Sequence, residues 1–179
     1  MLRRLLLTVC SAIACEAATG LAARYPGDVG LARDPAVLFA EDFESGDLKK
    51  WDEQRGSVTL TRAAPNAGTW CAEMTMERGK NVGGDAIKWF MPGADTVYAR
   101  FYVKFSADYQ YAHHFVWLSA NDAKNKWSSF GKAGKKPDGA TYFSSGMEPW
   151  FAWGRNRPPG EVNLYSYYPD MEMDPKMKI

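Results

Sequence analysis

The stretch Thr96-Val97-Tyr98-Ala99-Arg100-Phe101-Tyr102-Val103-Lys104-Phe105 carries the cleanest periodic signal of the chain. Apolar and polar residues alternate through it, and the side chains of a β-strand alternate between its two faces. The pattern predicts a strand with Phe101, Val103 and Phe105 inside and, on the opposite face, Tyr98, Arg100, Tyr102 and Lys104. Two phenols and two cations on one face favour the floor of a groove for a flat, hydroxylated, anionic ligand. The alternative is a half-buried strand whose tyrosines pack beneath a loop.

The rest of the chain repeats short β signals. β-branched and aromatic segments recur between turns rich in Gly, Pro and Asn, and no long stretch keeps a helical period. The sequence therefore predicts an all-β protein, an antiparallel β-sandwich of the jelly-roll type over residues 37–179. Two full sheets of a large jelly roll need more strands, so we expect a sandwich truncated at its C-terminus. One predicted strand begins at Val37, and the others are 57–62, 70–76, 86–91, 96–105, 113–119, 141–150 and 162–168.

The N-terminus has the pattern of a secretory signal peptide over residues 1–18. Arg3 and Arg4 precede an apolar run that is too short to cross a membrane, and Ala12-Ile13-Ala14 resembles a cleavage site. We expect a secreted or periplasmic protein without a membrane span, with a lipoprotein anchored at Cys15 as the lesser alternative. Residues 19–36 are interpreted as a linker or N-terminal arm.

Cysteine content and charge limit the classes of partner. Cys71 is the only cysteine beyond the predicted signal, so the mature chain cannot form an internal disulfide. Basic and acidic side chains are nearly balanced, with 22 Lys and Arg against 21 Asp and Glu. This balance gives no support to a nucleic-acid partner. Seven Trp, nine Tyr and nine Phe suit a sugar-stacking protein, which we expect to be a monomer.

An acidic turn follows the first predicted strand. Asp42 and Glu44 offer oxygen ligands of the type that Ca²⁺ prefers. The alternative, which we favour, is a turn capped by its own backbone. No cofactor is required, and structural calcium is the one metal that the sequence suggests.

Two polar segments flank the predicted groove. His113 and His114 are the only histidines and point to opposite faces of a regular strand, so a zinc site is disfavoured while one neutral imidazole could accept a proton. The loop 121–139 carries Lys124, Lys126, Lys132, Lys135 and Lys136. Such a loop is either an ordinary solvated segment or a cover that neutralises substrate carboxylates.

The last predicted strand, 162–168, repeats the division into an apolar and a phenolic face. Asn163, Tyr165 and Tyr167 share one face, and Val162, Leu164 and Ser166 share the other. The side chains expected to contact substrate are Tyr98, Tyr102, Lys104, Trp117, Asn163 and Lys132.

Four motifs resemble one family. Phe39-Ala40-Glu41-Asp42-Phe43-Glu44-Ser45-Gly46-Asp47 followed by Trp51 is similar to the first strand of concanavalin A-like jelly rolls. The segment 98–105 resembles the central groove strand of polysaccharide lyases on that fold, of the alginate and glucuronan lyase type. Lys135-Lys136-Pro137-Asp138-Gly139 is similar to their Lys-x-Pro-Gly loop, and Tyr165-Ser166-Tyr167 to their Tyr-x-Tyr pair.

The resemblance implies cleavage of an acidic, uronate-containing polysaccharide by β-elimination. It makes Tyr165 and Tyr167 the candidate base and acid, Lys135 and Arg100 the groups that neutralise the carboxylate, and His113 or His114 an alternative base. One departure is Glu148, which stands on a strand where such lyases tend to carry an Arg and would repel an anionic sugar if it faced the groove.

Two other functions remain open. A non-catalytic carbohydrate-binding module would keep the aromatic groove without a base. A glycoside hydrolase needs two carboxylates, and Asp170, Glu172 and Asp174 alternate between Pro169 and Pro175. The flanking prolines favour a loop over a strand there, which weakens the hydrolase alternative.

Overall fold

The computed structural model describes residues 20–80, 83–110 and 115–173. The chain divides into two compact units, Met1–Trp89 (unit 1) and Phe90–Ile179 (unit 2), and each is described by itself. Almost all regular structure in the described residues is β, in small antiparallel sheets, which confirms the all-β class. None of the helices in this part of the chain is long and apolar enough to span a bilayer.

Unit 1 consists of a helical arm and two strand pairs. The arm holds helix α1 (Leu21–Arg24) and two 3₁₀ turns, Pro26–Asp28 and Leu31–Arg33. The strands are β1 (Glu53–Gly56), β2 (Val58–Thr61), β3 (Cys71–Met74) and β4 (Gly84–Ile87). β1 pairs antiparallel with β4, with Glu53 opposite Ile87, and β2 pairs antiparallel with β3, with Val58 opposite Met74.

One buried carboxylate organises the arm. Asp34 is only 5% exposed and accepts a 2.9 Å hydrogen bond from the backbone N–H of Ala36. Its other oxygen lies 3.1 Å from the guanidinium of Arg24. These contacts hold the pKa of Asp34 below its usual value, the Ala36 hydrogen bond being the largest cause. The segment expected to be a linker therefore has local order of its own.

Unit 2 is built on one three-stranded antiparallel sheet in the order β5-β6-β7. The strands are β5 (Val116–Asn121), β6 (Tyr142–Trp150) and β7 (Glu161–Tyr167), with a 3₁₀ turn at Ala152–Gly154 between the last two. Gly146 at the centre of β6 lies opposite Trp117 of β5 and Tyr165 of β7. This register places the aromatic residues of the edge strands in one row across the sheet.

Most of the predicted strands are present. Segments 57–62, 70–76, 141–150 and 162–168 coincide with β2, β3, β6 and β7, and segments 86–91 and 113–119 overlap β4 and β5. No strand begins at Val37, whose N–H instead closes a turn onto the carbonyl of Asp34. β1 was not predicted, because Glu-Gln-Arg-Gly lacks the apolar alternation that marks a half-buried strand.

The prediction of a strand at 96–105 is wrong. Residues 96–105 belong to no strand, and Val103, expected inside, is 48% exposed. Phe101 and Phe105 are half-buried against Phe115, with ring centroids 6.3 Å and 5.3 Å away. A strand needs a neighbour for its backbone N–H and C=O groups, and none of the paired strands of the described chain lies along this segment. Aromatic side-chain contacts with Phe115 help to hold the segment.

The two faces of the β5–β7 sheet are buried to different extents. Along β6 four buried residues lie on the face that also carries Trp117 and Tyr165, namely Tyr142, Ser144, Gly146 and Glu148, while Pro149 is the one β6 residue buried on the other face. The opposite, apolar face stays open to solvent, since Leu118, Phe143 and Leu164 are 41%, 39% and 66% exposed. The better-covered side of this sheet is thus its phenolic side.

Candidate functional site

The candidate site lies on the buried side of the β5–β7 sheet, called the phenolic face. It comprises Trp117 from β5, Tyr142, Gly146 and Glu148 from β6, and Asn163, Tyr165 and Tyr167 from β7. Cross-strand neighbours on one face lie within contact distance, so the strand register alone brings these side chains together. The alternation predicted for 162–168 is confirmed, and it places both tyrosines of the Tyr-x-Tyr pair here.

Gly146 makes room for an aromatic ring at the centre of this face. A Cβ atom at this position would lie 2.7 Å from Cε2 and 2.9 Å from Cδ2 of Trp117. The indole therefore lies directly over the β6 backbone, in space that any side chain would fill. From there it meets the ring of Tyr165 edge-on, with the centroids 5.9 Å apart and the planes at 81°.

The two tyrosines of β7 share a hydrogen bond through their hydroxyl groups. Their ring centroids lie 5.1 Å apart at an interplanar angle of 72°, and the Tyr165 and Tyr167 oxygens are in direct contact. The backbone N–H of Gly134 donates a 2.8 Å hydrogen bond to the Tyr167 oxygen.

The environment keeps Tyr165 protonated. Burial, the hydrogen bond with Tyr167, and the charges of Tyr167 and Glu148 together raise the pKa of Tyr165 to about 12. A phenol with that pKa stays protonated at neutral pH and is available as a hydrogen-bond donor.

Glu148 lies on the phenolic face and does not point away from it. It is 6% exposed, stands opposite Asn163 in the register, and is close enough for its charge to act on Tyr165. Glu148 therefore would repel an anionic sugar bound here, as the sequence suggested, because its carboxylate faces the same side of the sheet as the two phenols. It disfavours a substrate carboxylate placed directly beside it.

The loop 121–139 reaches the phenolic face through its backbone. The Tyr142 hydroxyl donates a 2.6 Å hydrogen bond to the Lys135 carbonyl, and Gly134 donates to Tyr167. Lys132 Nζ lies 5.8 Å from the centre of the Tyr142 ring. Burial raises the pKa of Tyr142 above its usual value. Of the lysines predicted to act here, Lys132 is half-buried and Lys135 exposes its side chain.

An open cavity of about 470 Å³, the loop pocket, lies along the same loop. Phe130 is 76% exposed at its rim and meets Trp127 edge-on, with centroids 6.2 Å apart. Sequence reasoning missed this pocket. The only local signal was a series of Asn, Asp and Ser turn residues, which indicates a structured loop without revealing a cavity. Its walls include Asp122, Asn125, Trp127, Phe130, Lys132 and Asp138.

Apart from Asn163, the other predicted site residues are not brought to the phenolic face as strand neighbours. Four site residues were expected on the groove strand, and all four are exposed and lie outside the sheets: Tyr98, Arg100, Tyr102 and Lys104. Tyr98 is 93% exposed. Asn163 does lie on the phenolic face, but it is exposed and its side-chain oxygen accepts a 2.9 Å hydrogen bond from the N–H of Leu164. His113 and His114 lie outside the described residues.

The acidic turn of unit 1 is satisfied by backbone. Glu44 Oε1 accepts hydrogen bonds of 2.7 Å and 2.9 Å from the N–H groups of Thr69 and Trp70, which lower the pKa of Glu44. A Cβ at Gly68, where φ is +73°, would lie 2.5 Å from that oxygen, so only glycine fits. Asp42 accepts from the N–H of Glu44 at 3.2 Å. Among the described residues no cluster of three His, Cys, Asp or Glu side chains is placed to hold a metal.

A scan of the chain against protein-family models, a search of curated proteins and a search of solved structures each returned no match.

Proposed function

We propose that this chain is a polysaccharide-active protein of the jelly-roll class, and that its phenolic face takes part in β-elimination on an acidic polysaccharide. The observation that carries the proposal is the direct contact between the hydroxyl groups of Tyr165 and Tyr167 beside the Trp117 ring. It supplies a proton-transfer pair and an aromatic surface on one side of a sheet. β-Elimination needs proton transfer and a cation near the substrate carboxylate, and the aromatic ring offers a surface on which a sugar can stack.

In this proposal the two phenols have different roles. Tyr165, with its pKa of about 12, protonates the departing glycosidic oxygen. Tyr167 is 6% exposed and accepts from Gly134, so it orients Tyr165. After the product leaves, Tyr165 regains a proton from water and the protonated base gives up the proton it took from the sugar. The base that removes the proton beside the carboxylate is then one of the predicted histidines, His113 or His114. The enolate that forms is stabilised by the predicted cations, Lys135 of the loop 121–139 and Arg100 of the segment 96–105.

The test is the appearance of an unsaturated uronate. Wild-type protein is incubated with alginate, glucuronan and other uronate polymers, and the ultraviolet absorbance of the new conjugated double bond is followed. Tyr165→Phe keeps the ring but removes the proton, so turnover should fall by about 10²–10⁴-fold while binding changes little. Tyr168→Phe is the matched control, since Tyr168 lies just beyond β7 and is 46% exposed.

A second function, a non-catalytic carbohydrate-binding module, is favoured by Glu148. A buried carboxylate on the phenolic face suits neutral sugar hydroxyls better than a uronate. This alternative predicts binding without any unsaturated product, and little effect of Tyr165→Phe on affinity. Binding of uronate polymers that yields no product from any of them refutes the lyase proposal.

The glycoside hydrolase alternative has the least support. Asp170 and Glu172 lie beyond the end of β7, outside any strand, and both are exposed. Strand alternation therefore does not set them on one face, as the paired carboxylates of a hydrolase would require.

A further inference from the structure

The loop pocket has the composition of a sugar site in its own right. The exposed Phe130 ring and the indole of Trp127 offer two apolar surfaces at an angle of 78°. The side chains of Asp122, Asn125 and Asp138 surround them with hydrogen-bonding oxygens. The volume of about 470 Å³ lies within the range of about 300–1,000 Å³ that is typical of small-molecule sites.

The pocket is held in shape before any ligand arrives. The Ser128 hydroxyl donates a 2.6 Å hydrogen bond to the Thr141 carbonyl and accepts one of 2.9 Å from the N–H of Asp122. Asp138 accepts from the N–H groups of Ala140 and Thr141 at 2.9 Å and 2.8 Å. Both ends of the loop are therefore fixed to the sheet. Because the loop is already ordered, binding of a ligand loses little conformational entropy.

The charges of the lining select the ligand. Asp122 and Asp138 place two carboxylates in the wall against one cation, Lys132. The backbone hydrogen bonds on Asp138 hold its pKa at about 2, so it is ionised at neutral pH. The carboxylate of a uronate ligand brought beside Asp138 would be repelled, whereas sugar hydroxyls donate well to carboxylate oxygens. The wall thus favours an uncharged, hydroxyl-rich ring over a uronate.

We propose that the loop pocket binds a neutral pyranose residue of a polysaccharide, stacked on Phe130. The inference rests on the proposed function only in taking a polysaccharide as the ligand. It adds that the glycan presents an uncharged sugar to this pocket, whatever sugar meets the phenolic face.

The test is direct binding of neutral oligosaccharides. Full-length protein is titrated with cello-, manno- and xylo-oligosaccharides and with an oligoalginate of the same length, by calorimetry and by the indole N–H resonance of Trp127. Neutral oligosaccharides should bind and shift that resonance. Phe130→Ala should weaken binding about 10-fold or more, as loss of an aromatic anchor does, and Phe130→Tyr should restore it. Phe151→Ala is the matched control, an exposed phenylalanine in the same unit but outside the pocket.

Three results would overturn the inference: no neutral oligosaccharide shifts the Trp127 resonance, Phe130→Ala binds as tightly as wild type, or only the oligoalginate binds here. The readout is independent of the elimination assay. Unsaturated product without pocket binding refutes the pocket and leaves the lyase proposal intact. Binding of neutral oligosaccharides in the pocket without unsaturated product from any uronate polymer refutes the lyase proposal and leaves the pocket proposal intact.

Discussion

Replacement of Gly146 by alanine tests whether Trp117 lies where the phenolic face needs it. The added Cβ would stand 2.7 Å from the indole, well inside normal van der Waals contact, so the ring must move by several tenths of an ångström. Overpacking of this kind costs about 1–3 kcal/mol. A glycine-to-alanine change at an unstrained site instead stabilises a protein by about 0.4–1 kcal/mol, because it restricts the unfolded chain. The two effects have opposite signs, and the clash is the larger.

The net expectation is destabilisation by up to about 2.6 kcal/mol, which is up to about an 80-fold change in the unfolding equilibrium. Urea denaturation followed by tryptophan fluorescence measures it. Gly93→Ala is the matched control, because a Cβ there meets nothing within 4 Å. The double variant Gly146→Ala/Trp117→Leu should recover part of the loss, since the smaller side chain leaves room for the methyl group. A Gly146→Ala protein as stable as the Gly93→Ala control would show that the indole does not cover β6.

Three further predictions concern protons and the loop. Because the pKa of Tyr165 is raised from 10.0 to about 12, stability should fall as pH rises between these values, and Tyr165→Phe should flatten that fall in alkaline denaturation curves. The lowered pKa of Asp138 has the opposite sign: its contribution is present above pH 3.8 and is lost as pH falls towards about 2, so an unchanged acid profile in Asp138→Asn would contradict it. Ser128→Ala leaves the Thr141 carbonyl and the Asp122 N–H without their shared partner and should cost about 1–3 kcal/mol in the free energy of unfolding; a smaller loss by denaturant titration would show that water replaces the hydroxyl.

The sequence predicted the positions of β5, β6 and β7 better than the burial of their faces. Period-two alternation in 162–168 correctly separated the Tyr165 face from the Leu164 face, because alternation follows from backbone geometry alone. It does not say which face is covered. That depends on the loop 121–139, whose backbone bonds to the hydroxyl group of Tyr142, 7 residues from Lys135, and to that of Tyr167, 33 residues from Gly134. Tertiary contacts of this kind leave no local pattern in the sequence.

The segment 96–105 shows the other limit of alternation. Its apolar positions are regular, yet a strand exists only where a neighbour accepts and donates backbone hydrogen bonds.

The loop pocket could not be predicted from the sequence for a related reason. Turn residues such as Asn125 and Asp138 are visible in the sequence, but the angle between the Trp127 and Phe130 rings is set by how successive turns are stacked.

The bonds of Ser128 also set how the loop can vary in length. One hydroxyl joins Asp122 to Thr141, which divides the loop into a short ring before Ser128 and a longer ring after it. The entropy of closing a flexible ring grows only with the logarithm of its length, and each doubling costs about 0.6 kcal/mol. Residues inserted in the longer ring would therefore leave the short ring, and Trp127 within it, in place. In an engineered version, this longer ring is where extra residues could be grafted to reshape the pocket rim while the indole stays fixed.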